Sequence, residues 1–246
     1  MSRTVVVTGG AKGIGLACVQ RFAALGDNVW ALGRDEAALS GVAAAHGVRV
    51  LTCDVSSEAA VTRAFGAIGD VDVLVNNAGI SDSAPLGRTS LESWRAQMEV
   101  NATGPFLCTR AVIDGMRSRG GGSIITVASV AGRVGAKYTA AYTASKHAAI
   151  GLMRAVAAEL AGSGVRANAV CPAFVRSEMT DRSIERIVAR TGRSAAEAEA
   201  MLAGMTPLGR LLEPGEVADA VIYLASDAAA GINGQTLLLD GGAVQA

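Results

Sequence analysis

The chain has 246 residues, half of them hydrophobic, and its 22 basic residues balance 22 acidic ones. That length suits one α/β domain, spanning residues 1–246, with a sizeable core. The even charge argues against a nucleic-acid surface, and no basic amphipathic helix or long apolar run points to a membrane.

No charged-then-apolar leader precedes Arg3, so the cytoplasm is the expected compartment. Cys18, Cys53, Cys108 and Cys171 form no Cys-x-x-Cys pair and stand apart from His46 and His147. They read as buried thiols in a reducing compartment, and no metal is expected.

In chain order, Thr4–Thr8 reads as a strand and runs directly into Thr8-Gly9-Gly10-Ala11-Lys12-Gly13-Ile14-Gly15. A helix over Ile14–Leu25 follows. Glycines between a strand and a helix let the backbone approach a phosphate closely, and the helix start offers unpaired N–H groups. The second strand, Asn28–Leu32, ends in Gly33-Arg34 rather than in an acidic residue. An acid there accepts from a ribose 2′-hydroxyl and repels a 2′-phosphate. Arg34 with Lys12 instead suits a 2′-phosphate, so NADP(H) is favoured and NAD(H) remains possible. Asp35 and Glu36 stand next to Arg34 and would either neutralise it or begin the helix Glu36–Ala45.

Strand three, Arg49–Thr52, leads to Asp54-Val55 and a helix over Ser57–Ala67. Asp54 taken alone also fits a cap. Strand four, Val71–Asn76, closes on Asn76-Asn77-Ala78-Gly79. A long helix is expected over Leu91–Arg119, with a glycine-rich exit at Ser118–Gly122. Asn101 is an amide within its apolar stretch and needs a partner; a hydrogen-bonded kink would satisfy it.

Strand five, Ser123–Ala128, ends at Ser129, and the helix Ala140–Leu160 carries Tyr142 and Lys146 four residues apart on one face. Tyr138 has Tyr142, not lysine, at its own fourth position. A free tyrosine titrates near ~10. A neighbouring ammonium, with the positive nicotinamide of an oxidised cofactor, is expected to lower that value and permit proton transfer near neutral pH. The Ser129 hydroxyl would orient the substrate oxygen.

Strand six, Val165–Val170, precedes the one break in the alternation. Pro172–Pro207 carries two helical pieces, Ser183–Arg190 and Ser194–Ala203, and reads as a mobile substrate lid at the carboxyl end of the sheet. Met179, Ile184, Ile187, Val188, Met201, Leu202 and Met205 give it an apolar face. Arg182, Arg186, Arg190 and Arg193 would be a solvated face or meet a phosphopantetheine or coenzyme A. A helix over Pro214–Ala225 and strand Thr236–Leu239 finish the chain. The strands are near-continuous apolar runs alternating with helices. That pattern predicts a Rossmann-type, doubly wound parallel sheet of about seven strands, with helices on both faces.

The Thr8–Gly15 glycine pattern, Asn77-Ala78-Gly79, Asn101, Ser129 and Tyr142-x-x-x-Lys146 together resemble the short-chain dehydrogenase/reductase family, from Thr4 to about Gly242. The likeness is to 3-oxoacyl thioester reductases and to hydroxyacyl-CoA and secondary-alcohol dehydrogenases. It implies a small ketone or alcohol substrate and direct hydride transfer. It makes Asn101, Ser129, Tyr142 and Lys146 the reacting set, with Asn101 linking Lys146 to solvent through water. It gives Gly9, Gly13, Ile14 and Gly15 to the pyrophosphate, and Asp54 with Val55 to the adenine. Asn77, Ala78 and Gly79 become part brace and part cofactor wall. Pro172, Val175 and Ser177 are further cofactor contacts, although Ala173 stands where the family often has glycine. It also implies a homotetramer, in keeping with long helices apolar on more than one face.

Overall fold

The computed structural model describes residues 2–245, so Met1 and Ala246 of the predicted domain lie outside the described residues. Seven parallel strands form one sheet in the order β3-β2-β1-β4-β5-β6-β7. They are β1 (Thr4–Thr8), β2 (Asn28–Gly33), β3 (Arg49–Thr52), β4 (Val73–Asn76), β5 (Gly122–Val127), β6 (Val165–Pro172) and β7 (Thr236–Leu239). The helices between them are α1 (Gly13–Ala24), α2 (Glu36–His46), α3 (Glu58–Ile68), α4 (Leu91–Met98), α5 (Gly104–Ser118), α6 (Ala140–Glu159), α7 (Glu178–Thr191), α8 (Ala195–Ala203) and α9 (Pro214–Ala225). From β1 the chain builds outward to β3, then returns and builds the other way from β4. That reversal opens a crevice at the carboxyl ends of β1 and β4, where such sheets take their ligands.

The continuous apolar runs are explained by burial on both faces. Val6, Leu32, Leu74 and Ile124 pack on one side with Leu107, Met116 and Met153. Their neighbours Val5, Val7, Val73, Val75 and Ile125 pack on the other with Cys18, Phe22, Leu39 and Val221. Alternate residues thus point to opposite layers, and neither layer meets water at the central strands. The four cysteines are free and buried, as the sequence suggested.

Local chemistry sets the helix ends. The Asp35 carboxylate caps α2 by accepting from Ala38 N at 3.0 Å, and Gly47 ends that helix at φ +65°. Ser57 caps α3 and Ser177 caps α7.

Two expected elements differ. The long helix over 91–119 is interrupted by a π-helical turn, Glu99–Thr103, between α4 and α5. Pro105 at the start of α5 brings no N–H, and Gly104 is pressed so close to Val55 that a Cβ there would lie 2.8 Å from Val55 Cγ2. Asn101 sits in the wide turn, so the kink foreseen for it is a π-bulge. In the lid segment, α7 starts earlier than its predicted Ser183. Ser183 lies within the helix and its hydroxyl donates back to Met179 O at 3.0 Å, while Ser177 supplies the cap.

Candidate active site

The crevice begins at the glycine turn. Gly9 and Gly13 adopt φ +64° and +51°. A Cβ on Gly15 would lie 2.1 Å from Gly9 O, so only glycine lets α1 start this close to the turn. Asn77 stitches the end of β4 to the turn: its Nδ2 donates to Thr8 O at 2.9 Å and Gly9 O at 3.2 Å. Thr8 Oγ1 accepts from Asn77 N and Ala78 N, each at 3.0 Å. Lys12 occupies the N-cap position of α1 with no side-chain cap, leaving the first-turn N–H groups of α1 without a side-chain acceptor. Gly13 and Ile14, which follow it, face a cavity of about 430 Å³. An uncapped helix start beside glycines, opening on a cavity, is a fit for a dinucleotide pyrophosphate.

The same cavity continues past Asn77, Ala78 and Gly79 to Ser129, Tyr142 and Lys146, and is closed by Pro172, Val175 and Ser177. Residues far apart in the chain therefore share one space. Gly15 and Asn101 stand behind its wall, and Arg34, Asp54 and Val55 lie beyond it, at and after the ends of β2 and β3. The Val55 side chain is buried against Gly104. Asp54 Oδ1 accepts from Ser56 N at 3.0 Å and Ser56 Oγ at 2.7 Å. The Ser56 hydroxyl bond holds its carboxyl below the usual range, with help from the Arg34 charge. Asp54 therefore closes a turn after β3, and Ser57 supplies the α3 cap.

Tyr142 and Lys146 share a face of α6 as expected, with Lys146 Nζ 5.7 Å from the phenol ring centroid. Nζ donates to Val127 O at 2.9 Å, and the side chain is buried. Burial pushes Lys146 down to about 8. It also pushes the Tyr142 phenol up, while the Ser129 hydroxyl beside it works the other way. Burial thus raises Tyr142, against the lowering expected of it, and lowers Lys146; the other cation of that expectation is the oxidised nicotinamide. Ser129 Oγ accepts from Ala131 N at 3.1 Å, which holds the oxygen in place.

Asn101 spends its amide on Ile80 and Ser145. Its Oδ1 accepts from Ile80 N at 2.9 Å, and its Nδ2 donates to Ile80 O at 2.9 Å and Ser145 Oγ at 3.0 Å. A Cβ on Gly79 would lie 3.2 Å from Asn101 Oδ1 and 3.5 Å from Lys146 Nζ, so glycine keeps the space between them open.

The cations near β2 are less free than the sequence suggested. Arg34 is exposed, but Lys12 Nζ lies 3.8 Å from Asp35 and 3.1 Å from Glu178. Two arginines of α7 are engaged too. Arg186 donates to Asp82 Oδ1 at 3.1 Å and Ser81 O at 3.3 Å, and Arg190 to Ser83 O at 3.4 Å. These two tie α7 to the loop after β4, while Arg182, Arg190 and Arg193 stay exposed, as a solvated face would. Arg182 alone of the four lines the cavity, with Met179 and Met205.

Sequence reasoning missed the carboxyl-terminal turn. Asp240 and Ala243 line the cavity, and Asp240 accepts from Gly242 N and Val244 N, both at 2.9 Å. Gly241 and Gly242 have φ +67° and +85°. The Asp-Gly-Gly run was the available signal, but nothing local says which cavity the turn faces. Phe174 and Thr206 were missed for the same reason.

Among the described residues no helix is long and apolar enough to cross a membrane. Residues 9–244 match the family described as enoyl-(acyl carrier protein) reductase. A 2,5-dichloro-2,5-cyclohexadiene-1,4-diol dehydrogenase of Sphingobium indicum is 39% identical over 248 residues, covering 98% of this chain and 96% of that protein. An acetoacetyl-CoA reductase of Shinella zoogloeoides is 37% identical, covering 98% of each chain. Among solved structures, a single-residue variant of actinorhodin polyketide ketoreductase with NADPH superposes with a TM-score of 0.94 at 35% identity, covering 98% of this chain and 97% of that one. With the glycine turn, the Tyr142–Lys146 pair and this likeness over its whole length, the chain belongs to the short-chain dehydrogenase/reductase family of oxidoreductases that act on CH–OH groups.

Proposed function

We propose that this chain transfers a hydride between NADP(H) and a ketone or secondary alcohol, and that its substrates include 3-oxoacyl thioesters. The observation that carries the reading is one cavity joining the uncapped glycine turn to Ser129, Tyr142 and Lys146. The NADPH of the 35% identical ketoreductase supports the dinucleotide, and the acetoacetyl-CoA reductase supports the thioester.

In this reading Gly9, Gly13, Ile14 and Gly15 hold the pyrophosphate, and Lys12 and Arg34 meet the 2′-phosphate. Asp54 and Val55 border the adenine, and Asn77, Ala78 and Gly79 form the wall. Tyr142 and Lys146 also meet the nicotinamide riboside, and Pro172, Val175 and Ser177 close that end. When bound, the nicotinamide supplies or accepts the hydride at the substrate carbon. Ser129 orients the substrate oxygen. Tyr142 gives that oxygen its proton in reduction and takes it back in oxidation. The Lys146 ammonium favours the phenolate, and Asn101 holds the loop after β4 beside Lys146 through Ile80. Residues 172–207 act as the lid, with Met179 and Met205 keeping water from the reacting carbon.

A second reading, an NAD(H)-dependent hydroxyacyl-CoA or secondary-alcohol dehydrogenase, is favoured by the carboxylates of Asp35 and Glu178 on Lys12. Absorbance at the reduced-nicotinamide band separates the two. A panel of ketones and 3-oxoacyl thioesters should oxidise NADPH at least tenfold more efficiently than NADH. Comparable efficiency assigns the second reading, and no turnover with either sinks both. The enzyme is further expected in the cytoplasm as a homotetramer. Exposed Leu91, Trp94 and Phe106 on α4 and α5 offer apolar surface to a partner copy, and a monomer mass by light scattering would overturn that expectation.

A further inference from the structure

We propose that Glu178 sets how strongly this protein discriminates between the two dinucleotides. Its carboxylate holds the Lys12 ammonium in an ion pair between the root of the lid and the phosphate turn, and a 2′-phosphate must displace it. The proposal rests on the reading that Lys12 meets the 2′-phosphate.

Three observations lead to it. First, Lys12 Nζ stands beside the end of β2, 3.8 Å from Asp35, and 3.1 Å from Glu178 in the first turn of α7. Glu178 and Lys12 both line the cavity. Second, the two carboxylates are held differently. Asp35 is committed to capping α2 through Ala38 N. Among the described residues the Glu178 side chain hydrogen-bonds only with Lys12, whose Nζ donates to its second oxygen at 3.5 Å. It is therefore the partner that can yield. Third, the lid root lies against the turn itself: a Cβ on Gly13 would come 3.7 Å from Ser177 Cβ.

The energetics favour exchange. Both side chains of the pair are more than half exposed, so the bond is weak and screened. A dianionic phosphate outcompetes one carboxylate for the ammonium, and the freed Glu178 then faces a like charge. NADP(H) therefore unties the lid root from the turn while NAD(H), which carries a hydroxyl at that position, leaves the pair intact. Glu178 costs NADP(H) affinity and leaves NAD(H) affinity alone.

The experiment measures dissociation constants of NADPH and NADH by nucleotide fluorescence, for the wild type, Glu178→Gln, Lys12→Met and the double variant. Glu178→Gln should tighten NADPH about two- to fivefold, a range set by exposed charge pairs, with NADH moved less than about 1.5-fold. The gain should shrink in high salt and vanish in the Lys12→Met background. Equal changes for both dinucleotides, or none, alongside a selective loss of NADPH in Lys12→Met, overturn the role of Glu178 and leave that of Lys12 standing. If Lys12→Met weakens both dinucleotides equally or neither, the 2′-phosphate reading of Lys12 falls and the proposal falls with it.

Discussion

Lys146 is a buried cation whose cost can be worked out and measured. Its side chain is buried, donates to Val127 O, and is pushed from 10.5 down to about 8. That fall corresponds to about 3 kcal/mol of folding free energy held against the charged form. The sign follows from proton uptake. Between about 8 and 10.5 the unfolded chain binds the proton and the folded chain does not. The cost is therefore fully present below pH 8 and is released as pH rises toward 10.5. From pH 7 to pH 9 the wild type should recover about 1 kcal/mol through this group. Lys146→Met removes the titration. It also leaves Val127 O without its donor, a loss of about 1 kcal/mol that does not vary with pH. Urea unfolding of both proteins at pH 7, 8 and 9 gives the comparison. The wild type should gain on the variant by about 1 kcal/mol across that range, and taking the difference cancels the raised thiols of Cys18, Cys53 and Cys108, whose shifts do not involve Lys146. Parallel stability profiles would refute the burial argument. The variant should also be inactive, which would make the ammonium a feature kept for chemistry at the expense of stability.

Three further outcomes are expected. Tyr142→Phe should lower kcat by about 10²–10⁴ while NADPH binding changes less than about twofold, because the lost hydroxyl faces the substrate oxygen; near-normal turnover would remove Tyr142 from the proton-transfer role. Gly15→Ala should abolish dinucleotide binding and lower the melting temperature, since its Cβ would sit 2.1 Å from Gly9 O; a fully stable, binding variant would show that the turn can relax. Hydrogen exchange over residues 177–206 should slow when dinucleotide and a substrate analogue are added together, and equal protection in both states would make the segment a fixed part of the core.

Much of this protein was legible along the chain because the signals are local. Thr4–Thr8 is apolar throughout its centre, so it had to be buried on both faces. Gly9, Gly13 and Gly15 sit at a strand-to-helix junction, and only glycine tolerates that backbone. Tyr142 and Lys146 meet because a helix brings every fourth residue to one face. Asp35 is a short polar side chain placed to begin the helix it precedes. These relations involve a few neighbouring residues and elementary geometry, so sequence alone determined them.

Other features depend on which elements come to lie side by side. The helix over 91–119 breaks at Asn101 because Val55 crowds Gly104 and Ile80 offers Asn101 a backbone pair, and none of these is near in sequence. Arg186 binds Asp82 only because α7 comes to lie over the loop after β4. Asp240 reaches the cavity through the placement of the last strand at the sheet edge. The electrostatics required the fold most of all. Charge interactions depend on distance and on excluded water, so Lys12 gained two carboxylate partners and Lys146 lost basicity only once packing had brought those groups together and shut solvent out.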